Sequence, residues 1–245
     1  MVVDRVDVDY GPATKLIPAV QRGLRSARGD ALIIVVDDDT LYPPRLVETL
    51  LEWHKRLPHA ALSFTGWPVK DDLTYPHWSE NYLVYGNELL SPHPVDVVRG
   101  NCGYLVRASF FTPALWEDLE GAPDGAKYVV IRFAAAAAAT NVVHKQLVLT
   151  LTTPLRYMDD VWISGHLARN GVPRLVVPAD EDQFTAGAKL TNVTTLDHIN
   201  GRGRSQPDAR AKANKVALKH FAGDWDVEWN VQHPPVFEVR PRRRR

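Results

Sequence analysis

The chain has 245 residues, in which 29 lysines and arginines balance 29 aspartates and glutamates. Zero net charge argues against nucleic acid or a membrane surface as partner, and a single cysteine excludes an internal disulfide, as in a reducing compartment. The length predicts one large or two small domains with a substantial core. No segment reaches the ~20 apolar residues of a membrane helix. We therefore expect a soluble, cytoplasmic protein without an integral membrane segment; peripheral membrane association stays open.

Apolar runs of strand length alternate with amphipathic helical patterns along the chain, which is typical of an α/β domain. The predicted strands are, in order, residues 2–8, 31–36, 60–64, 95–98, 104–106 and 174–177. The predicted helices are residues 15–25, 45–57, 109–119, 161–170 and 208–221. Residues 69–93, rich in proline and aromatic residues, predict an irregular loop that lines a site. The alanine run 134–139 carries no packing information, and no function is drawn from it.

Three consecutive carboxylates, Asp37, Asp38 and Asp39, follow the predicted strand 31–36. They repel one another unless a cation, basic groups or water neutralises them. A hard divalent ion that keeps open positions for phosphates would do so, and open α/β sheets bind ligands where their parallel strands end. Side-chain alternation puts Asp37 and Asp39 on one side of an extended segment and Asp38 on the other. The alternative is a solvated acidic loop or a helix N-cap.

A second acidic pair, Asp159 and Asp160, lies at the start of the predicted helix 161–170. A helix N-terminus favours the ionised form of a carboxylate, and such a group can accept a proton from a hydroxyl nucleophile within hydrogen-bond reach. N-capping accounts for one aspartate but does not require two. Upstream, the small residues of 99–104 permit either close approach of a ligand or a simple tight turn.

Taken together, VVDDDT (35–40), GNCGYLVRASFF (100–111) and DDVWISGHLARNGVPRLVVP (159–178) resemble family-2-like glycosyltransferases of the GT-A fold, and DYGPATKL (9–16) resembles the segment that lines their nucleotide site. The resemblance implies an α/β, Rossmann-like fold with a mixed, mainly parallel sheet flanked by helices. Because family members begin with a further strand and helix, we expect this first β-α unit to be lacking. One domain would span 1–245, with a nucleotide-sugar and metal half (1–98), an acceptor half (99–200) and a C-terminal helix with a basic tail (201–245).

The resemblance also implies a metal-dependent, inverting transfer of a sugar from a nucleotide diphosphate donor to a carbohydrate or other hydroxyl acceptor, as in polysaccharide or glycoconjugate biosynthesis. Asp39 of the Asp-x-Asp motif would bind the Mn²⁺ or Mg²⁺ that bridges the diphosphate, and Asp37 would contact the ribose or the metal. Asp160 would be the general base, supported by Asp159. The remaining candidates are nucleotide-sugar contacts (Gly11, Lys15, Asp38) and a further metal or phosphate ligand (His198).

Three other functions compete with this interpretation. A nucleotidyltransferase also uses Asp-bound magnesium, but the sequence lacks the Gly-rich, basic loop expected after its first strand. A glycoside hydrolase would use Asp39 and Asp160 as its carboxylate pair, and it would leave the Asp triplet unexplained. A catalytically inactive scaffold would bind the sugar nucleotide without turnover.

Overall fold

A computed structural model describes residues 5–26, 30–37, 40–74, 83–120, 159–180 and 207–225. Its helices are α1 (Ile17–Arg25), α2 (Leu46–Arg56), α3 (Ala114–Glu120), α4 (Asp159–Arg169) and α5 (Pro207–His220). Its strands are β1 (Leu32–Val35), β2 (Ala61–Ser63), β3 (Thr65–Trp67), β4 (Val84–Tyr85), β5 (His93–Pro94), β6 (Val97–Val98), β7 (Tyr104–Arg107) and β8 (Arg174–Val176). Short 3-10 helices occupy Gly11–Lys15, Gly86–Glu88, Gly100–Cys102 and Ala108–Phe110.

The larger sheet has five strands in the order β1-β7-β2-β8-β5, and a smaller one has the order β4-β3-β6. β7 lies antiparallel between β1 and β2, and β2 pairs parallel with β8. β1, β2 and β8 therefore run in the same direction, although β2 and β8 are the one directly parallel pair among the described strands. The expected mixed α/β sheet flanked by helices is confirmed.

Helices cover both faces of the larger sheet because its strands alternate two apolar sets. Leu62 and Leu105 point to the face that α2 covers with Leu46 and Leu50, four residues apart on one stripe of the helix. Val35, Tyr104 and Val176 point to the opposite face and join the core of α1 and α4, whose residues are Ile17, Val20, Val161, Trp162 and Leu167. The second face matters for function, because both of its helices begin beside the same strand ends.

Most predicted elements agree with the structure, and the differences have local causes. The predicted strand 2–8 is wrong where it is described: residues 5–8 form no strand, and Val6 and Val8 remain 42% and 48% exposed. The predicted helix 109–119 begins only at Ala114. Proline disfavours the helical conformation of the residue before it, and Thr112 stands directly before Pro113. The predicted loop 69–93 contains β4, a 3-10 turn and the first residue of β5, whereas residues 75–82 and the alanine run lie outside the described residues.

None of the described helices combines the length and the apolarity that a membrane crossing requires.

Candidate functional site

Four segments meet where β1 ends: the 3-10 turn before α1, the residues after β1, the Gly100 turn between β6 and β7, and the first turn of α4. Lys15 from the first segment contacts Asp37 from the second, with 2.5 Å between Nζ and Oδ1. The same Nζ lies 2.7 Å from Asp159 Oδ2 on α4. One ammonium therefore joins the end of the strand to the start of the helix.

Buried neighbours hold the two helices that carry these charges. Leu16 and Ile17, next to Lys15, are fully buried. On α4, Ser164 Oγ accepts a hydrogen bond from the Val98 N–H at 3.1 Å, and the Trp162 indole donates to the Leu115 carbonyl at 3.0 Å. The charged groups are consequently fixed by packing on the sheet rather than carried on a free surface.

The charge of Lys15 is strongly stabilised by its surroundings. Its side chain is 23% exposed, and those of Asp37 and Asp159 are 27% and 16% exposed. Burial opposes the charged form of Lys15, but the carboxylates of Asp159 and Asp160, with Tyr104 and Asp37, raise its pKa well above the usual range. Lys15 therefore stays protonated at neutral pH.

Asp160 has a different environment from its neighbour. Its Oδ1 accepts a hydrogen bond from the Gly100 N–H at 2.9 Å. Burial and the adjacent Asp159 carboxylate raise the pKa of Asp160 to about 7, whereas Lys15 and Arg99 act in the opposite direction. Near neutral pH Asp160 therefore exchanges a proton readily.

Gly100 lies between all the charged groups. A Cβ at this position would be 3.0 Å from Lys15 Nζ, 3.1 Å from Asp160 Oδ1 and 3.5 Å from Asp37 Oδ1. Tyr42 ties the Gly100 turn to the end of β1, because its hydroxyl accepts from the Asp37 N–H at 2.7 Å and donates to the Gly100 carbonyl at 3.4 Å. Glycine thus leaves the space that the ammonium and the two carboxylates share.

Tyr104, the first residue of β7, lies beneath this cluster and is fully buried. Burial raises its pKa well above the normal value, so the hydroxyl keeps its proton. Within the part of the chain that the structure describes, no group forms a hydrogen bond with this hydroxyl. Asp159 Oδ2 also lacks a well-aligned hydrogen bond there, so its contact with Lys15 is an ion pair without a directed hydrogen bond.

Of the residues predicted from the sequence, the structure brings together Lys15, Asp37, Asp159 and Asp160. Gly11 starts the 3-10 turn that ends at Lys15, with φ of +65° and its N–H donating to Asp9 Oδ1 at 2.7 Å. Asp38, Asp39 and His198 lie outside the described residues.

Sequence reasoning missed two tyrosines, Tyr42 and Tyr104. Tyr42 comes soon after the Asp triplet, which is the one signal that could have pointed to it. Tyr104 directly follows the small residues of the Gly100 turn, but nothing in the sequence distinguishes its hydroxyl from that of an ordinary core tyrosine.

A divalent metal, which the sequence resemblance implies, would need oxygen ligands here. In the described segments, no group of three or more histidine, cysteine, aspartate or glutamate side chains has the geometry of a metal site. Asp37 still fits such an ion chemically, because carboxylate oxygen suits hard cations and Lys15 contacts only its Oδ1. Further ligands would have to come from substrate phosphates and from Asp39, which stays a prediction.

Comparison with known proteins adds one result to this geometry. Residues 4–110 match the family described as Glycosyl transferase family 2. The chain matches none of the curated proteins. The matched region contains Lys15, Asp37 and Gly100 and ends before Asp159 and Asp160.

Proposed function

Because residues 4–110 match the glycosyl transferase family 2 model, we propose that this chain moves a sugar from a nucleotide diphosphate donor to a hydroxyl acceptor, with a divalent metal and with inversion at the anomeric carbon. One observation carries the proposal. A single half-buried ammonium, Lys15, joins Asp37, on the proposed donor side, to Asp159, on the proposed acceptor side. The two parts of a transfer site thus share one charge cluster.

Asp160 is the general base of this proposal. A base works best when its pKa lies near the operating pH, and Asp160 has a pKa of about 7. The Gly100 N–H holds Oδ1, which leaves Oδ2 to accept the proton of the acceptor hydroxyl. Asp159 supports the base by raising its pKa and by contacting Lys15.

The proposed inversion rests on Asp160 acting from the side opposite the leaving group. A base that deprotonates an acceptor opposite the leaving group sets up a single in-line displacement, which inverts the anomeric carbon. The reaction breaks the bond from the anomeric carbon to the diphosphate oxygen and forms the bond to the acceptor oxygen. The electron pair leaves with the nucleoside diphosphate, and Asp160 takes the proton.

The donor side needs positive charge for the departing diphosphate. A bound Mn²⁺ or Mg²⁺ supplies electrostatic stabilisation of the leaving group. Asp37 and Asp39 are its proposed ligands, with His198 as a further one, and Lys15 is the proposed protein cation for the phosphates. Gly11 and Asp38 remain proposed contacts to the nucleotide sugar, on the strength of the sequence resemblance.

A two-step experiment tests this function. Nucleoside diphosphate sugars are first screened with Mn²⁺ for thermal stabilisation, because a ligand that binds only the folded form raises the melting temperature. Transfer to simple sugar acceptors is then measured for the wild type, for Asp160→Asn, and for the control Asp118→Asn. Asp118 lies on α3 and pairs with Arg169 at the far end of α4. We expect all three proteins to bind the donor normally and only Asp160→Asn to lose transfer.

Other outcomes would assign another function. Binding without transfer in the wild type would indicate an inactive scaffold. Hydrolysis that needs neither metal nor nucleotide would indicate a glycoside hydrolase, and pyrophosphate release from a nucleoside triphosphate would indicate a nucleotidyltransferase. Full transfer activity in Asp160→Asn would refute its role as the base.

A further inference from the structure

Two buried polar atoms at the site lack a directed hydrogen bond to any described residue, and one of them, Asp159 Oδ2, has only its ion pair with Lys15. The Tyr104 hydroxyl has no hydrogen-bond partner among the described residues, and Asp159 Oδ2 has no well-aligned donor there. Nearly all buried polar groups in native proteins are hydrogen-bonded, and an unpaired one costs stability. The Tyr104 hydroxyl thus has no acceptor in the described segments, although it lies in the same cluster as a carboxylate oxygen that the Lys15 ammonium occupies at 2.7 Å, and this calls for a physical explanation.

The sheet places the two groups on the same side. Tyr104 is aligned with Val35 on β1 and with Ser63 on β2, so these three side chains share one face. That face is covered by α1 and α4, the helices that begin beside Lys15 and at Asp159. Lys15 and Asp159 are also the two charges that act most strongly on the Tyr104 hydroxyl.

Lys15 cannot serve all of its possible partners at once. Its ammonium has three N–H donors, and in the free protein it is in contact with Asp37 and Asp159. A donor diphosphate, which the proposed function requires, brings further anionic oxygens to the same ammonium. The flexible lysine stem allows it to turn toward them. Asp159 would then lose its counter-ion.

We propose that Tyr104 is a positioning residue whose hydroxyl donates to Asp159 Oδ2 once Lys15 has turned toward a bound diphosphate. The hydroxyl is unpaired in the free protein because its partner becomes available only in the bound state. This exchange keeps the acidic pair in place while the ammonium serves the phosphates. It involves no covalent step and no proton transfer, and it rests on the proposed function.

Tyr104→Phe tests the exchange because the two states predict opposite effects. In the free protein it removes an unpaired buried hydroxyl, so we expect the melting temperature to rise by about 2–4 °C. Binding of inorganic pyrophosphate, measured by calorimetry with Mn²⁺, should weaken by about tenfold, because Asp159 loses its replacement donor. A tyrosine with a merely structural hydroxyl would lower the melting temperature instead.

Tyr10→Phe is the matched control, because the buried Tyr10 hydroxyl accepts a hydrogen bond from Gln21 Nε2 at 3.3 Å. Its melting temperature should not rise. The inference is overturned if Tyr104→Phe does not become more stable, or if it binds pyrophosphate as tightly as the wild type. If the wild type transfers sugar but Tyr104→Phe gives either of these results, only the role of Tyr104 is refuted and the proposed function stands. A wild type that binds neither pyrophosphate nor any nucleoside diphosphate would refute both the role of Tyr104 and the proposed function.

Discussion

The acidic limb of the pH–rate profile should report the environment of Asp160. A general base must be ionised in the free enzyme, and the pKa of Asp160 is about 7. We therefore expect kcat/KM for the donor to fall about tenfold for each pH unit below this value. The groups that act on Asp160 are Asp159, Lys15, Asp37 and Arg99.

Two substitutions should move this limb in opposite directions. Asp159→Asn removes a like charge that raises the pKa of Asp160, so the limb should move down by about one pH unit. Lys15→Met removes a cation that lowers the same pKa, so the limb should move up by about as much. Opposite signs from two neighbouring positions are difficult to obtain from a general loss of structure.

The assay is kcat/KM from about pH 5 to about pH 9, because this constant reports the free enzyme. Asp118→Asn is the control: Asp118 pairs with Arg169 at 2.9 Å. Arg169 is nine residues from Asp160, or about 14 Å along α4, where a surface charge is largely screened. The acidic limb of Asp118→Asn should match that of the wild type. An unmoved limb in Asp159→Asn would refute Asp160 as the titrating base.

Three further outcomes are expected. Gly100→Ala should reduce pyrophosphate affinity at least about tenfold, because its methyl fills the space among the charged groups. The control Gly223→Ala, whose Cβ would have nothing within 4 Å, should bind pyrophosphate as the wild type does, and equal affinities of the two variants would contradict this prediction. Folding raises the pKa of Asp160 from the ordinary value of 3.8 to about 7, so the folded protein loses stability as the pH rises between these two values. Asp160→Asn removes this loss and should therefore raise the melting temperature more at about pH 8 than at about pH 4. Gly165→Ala should lower the melting temperature by about 5 °C, because its Cβ would be 2.2 Å from Phe221 Cδ2; an unchanged melting temperature would show that α5 moves aside easily.

The fold was predictable where elements are long and one-sided. Leu46 and Leu50 repeat at helical spacing, and α2 buries both of them. Strands of two or three residues, such as β4 and β5, are too short for a periodic pattern to reveal. Alternation alone was also insufficient at Val6 and Val8, since a strand needs a neighbour to pair with and none of the described strands pairs there.

The site was predictable as a set of residue types but not as a network. The acidic residues stand out because clustered carboxylates require neutralisation. That Lys15 provides this charge could not be derived from spacing, since it lies 22 residues from Asp37 and still further from Asp159. The unpaired hydroxyl of Tyr104 is a result of packing between β7 and two helices, which no local pattern encodes.

The ion pairs of Lys15 bear on how this protein can be divided. The region of family similarity ends at residue 110, while one of the two counter-ions of Lys15, the parallel neighbour of β2 and the helix over β6 all come later in the chain. A fragment cut at that boundary would keep the Asp triplet, but Lys15 would lose its ion pair with Asp159 and the sheet would have an open edge. The smallest segment that gene fusion or recombination could exchange as an intact folding unit is therefore longer than the segment that matches the family.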